Sequence, residues 1–267
     1  MNEMAPDKID KTVPHSARIW NYWLGGKDNY PVDRAAGEET RKVLPEIVDI
    51  ARASRAFLGR AVRYLAGEAG IRQFLDVGTG LPTVDNTHQV AQRVAPECRI
   101  VYVDNDPLVL LHARALLVGT REGATDYIDG DVRDPQAILR RAAQTLDFTR
   151  PVAIMMLGIL PFIGEDDEAR SIINQLLAAV PAGSYVAATH STSEATGDRV
   201  IDAVRQWNQV PGTVPYHLRD PARIAGFFDG LELIEPGVVS CPRWHPEPLE
   251  FDVKWDMDEF CAVGRKN

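Results

Sequence analysis

Phe74-Leu75-Asp76-Val77-Gly78-Thr79-Gly80-Leu81-Pro82 is the stretch on which the reading of this chain turns. A short apolar run ends in an acid and passes into two glycines, the pattern of a buried strand entering a tight turn. A helix is expected to follow, beginning near Asp85. Gly78 and Gly80 permit the sharp turn and let a ligand approach the backbone closely. The third glycine of a dinucleotide fingerprint is missing, because Pro82 and Thr83 stand where it would fall. The motif is therefore D-x-G-x-G rather than G-x-G-x-x-G. That disfavours a pyrophosphate, and the acid at its head suits a ligand bearing an ammonium group.

Outward from this turn the chain alternates short β-branched runs with helical patterns. QFLDV, RIVYVD, TDYID, VAIMML and SYVAATH read as strands, and helices are expected near 85–95, 107–118, 135–145 and 166–180. Such alternation implies parallel βαβ units in an open sheet covered on both faces. The end breaks the rhythm. After a helix near 220–228, LELIEPGVVS and EFCAVGRK are two strand candidates with no crossover helix between them. They must pair antiparallel or lie far apart. Residues 191–219 form an extra segment, expected to be a second piece of a cap. On the other side, residues 1–13 are polar and expected to be flexible, and 14–64 read as a helical cap before a core at 65–267. In the cap, Ser16 is a candidate helix N-cap and Gly25-Gly26 a stop.

Two further acids end strands in chain order. Asp104 closes RIVYVD and can accept hydrogen bonds from both hydroxyls of a ribose, with Asn105 beside it. Its distance from Asp76 exceeds the roughly 20 residues usual for that role, as a long intervening helix and loop would require. Asp106-Pro107 reads as a helix cap. Asp131 and Val132 follow the third strand and suit an adenine ring, one through a carboxylate and one through a backbone N–H. Asp134-Pro135 is a second cap. Ligands of open α/β sheets bind outside these strand ends. The segment Leu157-Gly158-Ile159-Leu160-Pro161-Phe162 is apolar and more suited to shaping a pocket than to performing chemistry.

Composition narrows the classes. The 267 residues are 45% hydrophobic, enough for one large α/β domain, and carry a formal net charge of -9. An acidic chain repels phosphate backbones, so no nucleic-acid partner is expected. Cys98, Cys241 and Cys261 are scattered, with no metal-ligand spacing, and fit a reducing cytoplasm. The N-terminal residues hold no signal-peptide core, and no run of about 18 apolar residues suggests a membrane span.

Taken together, these motifs resemble class I methyltransferases that use S-adenosylmethionine. The segments PHSARIWNYWLGGKDNYPVDRAAGE, RAFLGRAVRYL, FLDVGTGLPTVDNTHQVAQ, VYVDNDPLVLLHARALL and FFDGLELIEPGVV are similar to an actinobacterial S-adenosylmethionine methyltransferase family, long treated as a domain of unknown function. The similarity runs from about Val13 to the end of the chain. It implies a Rossmann-like α/β sheet, mostly parallel with the last strand antiparallel, under an N-terminal helical cap. It also implies that Asp76, Gly78, Gly80, Asp104, Asp131 and Val132 hold S-adenosylmethionine, while it leaves the methyl acceptor open; a small molecule is the first expectation for it. It assigns neither a catalytic base nor an oligomeric state.

The cap invites a functional reading of its own. WNYWLGGKDNY follows a glycine pair with a dense polar cluster, as a ligand loop does. Lys27 and Tyr30 are candidates to meet the methionine end of the cofactor, and Trp20 and Trp23 could equally be core. His88 and His190 are candidate bases, with His112, His217 and His245 behind them. Methyl transfer at a sulfonium carbon needs alignment and desolvation, with an optional base. Two other functions compete. A non-catalytic S-adenosylmethionine or nucleoside sensor would lack an acceptor cavity. A nicotinamide-dependent oxidoreductase is disfavoured by the missing glycine and the closing strand pair.

Overall fold

A computed structural model describes residues 10–109, 111, 119–247 and 254–267. The first strand, β1 (Gln73–Val77), is buried along its whole length, as a central strand covered on both faces must be. Its neighbours are β2 (Arg99–Asp104), β3 (Ala124–Asp129), β4 (Ala153–Leu157) and β5 (Tyr185–Ser191). These five are parallel. The sheet is closed by β6 (Leu231–Leu233), β7 (Val239–Ser240) and β8 (Glu259–Lys266), giving the order β3-β2-β1-β4-β5-β8-β6, with β7 also on β8. β8 runs antiparallel to β5, β6 and β7. The expected antiparallel final strand is present, and LELIEPGVVS resolves into two short strands instead of one.

Alternation along the strands divides the core between the two sheet faces. Leu75, Val101 and Ile154 pack with α5 (Pro135–Ala142) and α6 (Asp166–Ala178). Phe74, Ile100 and Met155 pack with α3 (Ile47–Gly67) and α4 (Thr87–Val94). The helix after the glycine turn starts two residues later than expected, because Asp85 sits at φ 60° and Asn86 and Gln89 form a reciprocal capping box. Asp106 accepts Leu108 N–H and Asp134 accepts Ala137 N–H, the two expected caps. Most of the helix expected at 107–118, His112 with it, and the first nine residues of the expected flexible 1–13 lie outside the described residues.

Before the sheet, α1 (Ser16–Trp23) and α2 (Pro31–Val43) precede α3. His15, not Ser16, caps α1: its ring accepts Ala17 N–H, which leaves Ser16 inside the first turn. Within 191–219, α7 (Asp198–Trp207) docks on α2 and α3 through Val200 and Ala203 against Leu44, Ile47 and Ile50. A shorter α8 (Pro221–Ala225) leads to β6. Among the described residues no helix is long and apolar enough to cross a membrane.

Candidate functional site

The chain order of the strands reverses between β1 and β4, and a cavity of about 280 Å³ opens there, at the carboxyl ends of the parallel strands. Such a switch point is where open α/β sheets bind ligands. Of the residues singled out in the sequence, Asp76, Gly78, Gly80, Asp104, Asn105, Asp131 and Val132 all line it.

The glycine turn is pinned to β2. Gly78 and Thr79 donate to Val103 O at 2.9 and 3.2 Å, and Gly80 donates to Asp104 Oδ2 at 2.7 Å. Both glycines hold positive φ, 74° and 67°. At Gly78 a Cβ would sit 2.8 Å from the Ile159 side chain, whereas at Gly80 it would meet open space. Asp104 also accepts Asp106 N–H at 2.9 Å. Each of its oxygens thus carries one backbone bond and keeps a lone pair. Burial pushes the Asp104 carboxyl above its ordinary range. Asp131 accepts Arg133 N–H and stays exposed, while Val132 is buried beside it.

Asp76 accepts Thr87 Oγ1–H at 2.6 Å, and burial raises its carboxyl to about 6 against the opposing pull of that bond and of Arg55. Arg55 itself lines the cavity, held by Val84 O and Asn86 Oδ1 at 3.0 Å each. The sequence reading missed this cation. The available signal was an arginine three residues after Arg52 and five before Arg60 on a helix whose other face is apolar; nothing local to it distinguished it from its neighbours.

Past the glycine turn the cavity becomes apolar. Trp20 and Trp23 stand edge to face on α1, with ring centroids 5.8 Å apart, and both line the wall. Ile159 and Phe162 come from the segment after β4, and Trp207 and Tyr216 from 191–219. Tyr216 packs edge-on to Phe162 at 5.0 Å. Its backbone is clamped on both sides by Asn208, which accepts Tyr216 N–H at 2.8 Å and donates to Tyr216 O at 2.9 Å. Ser191 and Asp258 complete this end, two residues that carry no motif and that the sequence reading also missed.

Four candidates lie away from the cavity. Lys27 is exposed and Tyr30 packs between the cations of Lys11 and Arg18, because the loop folds back on its own helix. Asn21 Oδ1 accepts Asp28 N–H and Asn29 Nδ2–H and so draws the loop down, and it fills the space beside Gly26. His88 is buried, with Nδ1 2.8 Å from Tyr102 Oη, and burial lowers it to about 4. His190 is buried between Ser191 O and Arg219, and burial lowers it to about 3. Both rings are neutral at physiological pH and committed to other partners. His217 packs against Gly164 and His245 stacks on Trp244, also outside the cavity wall.

The sequence model of a family described as S-adenosyl methyltransferase matches residues 2–267. Among solved structures, a DUF574 family protein from Streptomyces avermitilis MA-4680 is 44% identical, with a TM-score of 0.93 over 97% of this chain and 100% of its own. A candidate methyltransferase from Thermobifida fusca YX is 38% identical, with a TM-score of 0.88 over 99% of this chain and 100% of its own. No curated protein matches the chain.

Proposed function

The chain belongs to the S-adenosyl methyltransferase family, whose methyl donor is S-adenosylmethionine, and on that footing we propose that it methylates an oxygen or nitrogen of a small, largely apolar acceptor. The observation that carries this reading is the continuity of the cavity. Its polar end joins the strand termini, and the same space runs on into an aromatic chamber under α1 and 191–219.

The residues at the polar end have the chemistry the donor requires. Asp104 keeps lone pairs for ribose hydroxyls, and Gly80 leaves room beside it. Asp76 suits the ammonium of the methionine end and Arg55 its carboxylate, as opposite charges in a half-dry site. Asp131 and Val132 suit the adenine edge and face. This assignment replaces Lys27 and Tyr30 with Arg55. Bound there, the donor supplies a methyl group on a sulfonium, and the protein's part is to align the acceptor and exclude water. The packed Trp20, Trp23 and Trp207 serve the second task.

Calorimetry with S-adenosylmethionine, S-adenosylhomocysteine, NAD and ATP tests the reading. The two adenosyl sulfur compounds are expected to bind and NAD is not. Tight NAD binding without the others would sink it.

A further inference from the structure

Where β5 ends and β8 begins, Ser191 pairs in register with Glu259. Glu259 is fully buried (0% exposed), and its Oε2 accepts Ser191 Oγ–H at 2.6 Å. Ser191 Oγ is in turn 2.6 Å from Tyr216 Oη. Since the one Ser191 proton is given to Glu259, Tyr216 must donate to Ser191. The phenol oxygen is then left with its lone pairs, on a residue that lines the cavity. Among the described residues Glu259 Oε1 has no partner, and neither does Thr189 Oγ1, which approaches it from β5 without completing a bond of normal geometry. A carboxyl buried this way, half satisfied, is costly to the fold.

Resting on the methyl transfer argued above, we propose that Tyr216, Ser191 and Glu259 form a proton relay that deprotonates the hydroxyl of a neutral aromatic acceptor. As the acceptor oxygen bonds to the methyl carbon, the C–S bonding pair returns to sulfur. The acceptor's O–H proton passes to Tyr216 Oη, the Tyr216 proton to Ser191 Oγ, and the Ser191 proton to Glu259 Oε2. One carboxylate becomes one carboxylic acid, and both hydroxyls end as they began.

The surroundings fit that task. Burial raises Glu259 to about 7, where it can exchange a proton at neutral pH. The groups facing it are Asp258 just before its strand, Thr189 and Ser191 on β5, Tyr216, and the Cys241 thiol after β7. Asp258 accepts Ala195 N–H, Thr196 N–H and Thr196 Oγ1–H, so its oxygens are committed to the turn that follows β5. Two acids at this end repel anionic acceptors. Phe162, Trp207 and Tyr216 favour a flat ring.

The test uses the intact chain and its variants Tyr216→Phe, Ser191→Ala, Glu259→Gln and Glu259→Asp. S-adenosylhomocysteine is titrated first. Its affinity is expected to stay within about twofold in all of them, and failure of the parent protein to bind it would sink the methyltransferase reading itself. Infrared spectra then follow the protonated carboxyl band that Glu259→Gln removes. The band is expected to vanish on titration through about pH 7 and to shift in Ser191→Ala. A band that titrates in the ordinary carboxylate range, or ignores that serine, overturns the relay. Finally, phenol, catechol and 1-naphthol are offered with labelled S-adenosylmethionine. Tyr216→Phe and Glu259→Gln are expected to lower kcat by about a hundredfold or more, with KM little changed. Glu259→Asp should keep the rise of rate with pH that Glu259→Gln loses. Equal rates and an unmoved pH profile, or no methylation of any phenol by a protein that binds the cofactor product, overturn the proposal.

Discussion

The two ends of the cavity hold the same device in opposite settings. At each, a buried carboxyl is braced by a neighbouring hydroxyl at 2.6 Å, Asp76 by Thr87 and Glu259 by Ser191. Asp76 has Arg55 close by, which favours its charged form. The charged neighbour of Glu259 is Asp258, which disfavours its charged form. The first arrangement holds a negative charge ready for a cationic ligand, and the second holds a site ready for a proton. The framework differs too. The polar end is fixed by backbone bonds from the glycine turn to β2, whereas the apolar end is assembled from α1, α3, the segment after β4, 191–219 and Asp258 just before β8.

If the polar end owes its shape to backbone geometry, small insertions there should matter most. Gly78→Ala forces a left-handed residue and drives a methyl into Ile159, so thermal unfolding should report a loss of about 2–4 kcal/mol. Gly80→Ala carries the conformational cost alone, about 1–2 kcal/mol, and its methyl enters the cavity. Equal losses for the two would mean that the turn is not held against the β4 segment.

Asp104→Ala tests how far the two ends are separable. It removes the acceptor for Gly80 and Asp106 N–H, and cofactor affinity should fall by about 1.5–3 kcal/mol in calorimetry. The environment of Trp207, followed by fluorescence with the other tryptophans replaced, should not change. A shifted Trp207 signal would show that the ends are coupled.

The smallest effect is in pH. Because Asp76 titrates near 6, above its ordinary value, it favours the free fold most in acid and less as pH rises to 6. Cofactor binding has the opposite sign, since an ammonium group selects the ionised carboxylate. Affinity for S-adenosylhomocysteine should rise about fivefold from pH 5 to 6 and about tenfold by pH 7 before it levels, and Asp76→Asn should flatten the curve. A flat profile in the parent protein would remove Asp76 from the ammonium role.

The difference between the ends also explains what the sequence disclosed. Asp76, Gly78, Gly80, Asp104 and Asp131 are legible because each belongs to a strand followed at once by a turn, and the sheet brings such turns together by its topology alone. Ser191 and Glu259 meet only because β8 pairs antiparallel with β5, a register that no local pattern encodes. Tyr216 reaches Ser191 through a loop clamped by Asn208. Lys27 and Tyr30 lie outside the cavity wall for a related reason. A glycine pair before polar residues marks a loop, but Asn21, inside the preceding helix, decides which way the loop folds.

The placement of β8 has a consequence for cooperativity. Among the described residues, β6 and β7 pair with β8 and with no other strand, so neither can stay ordered if β8 leaves. The three behave as a single foldon whose opening carries Glu259 away from Ser191. The glycine turn is bonded to β2, on the far side of β1, and need not open with it. On the roles proposed for the two ends, partial unfolding would leave a molecule that still binds its cofactor and has lost its chemistry.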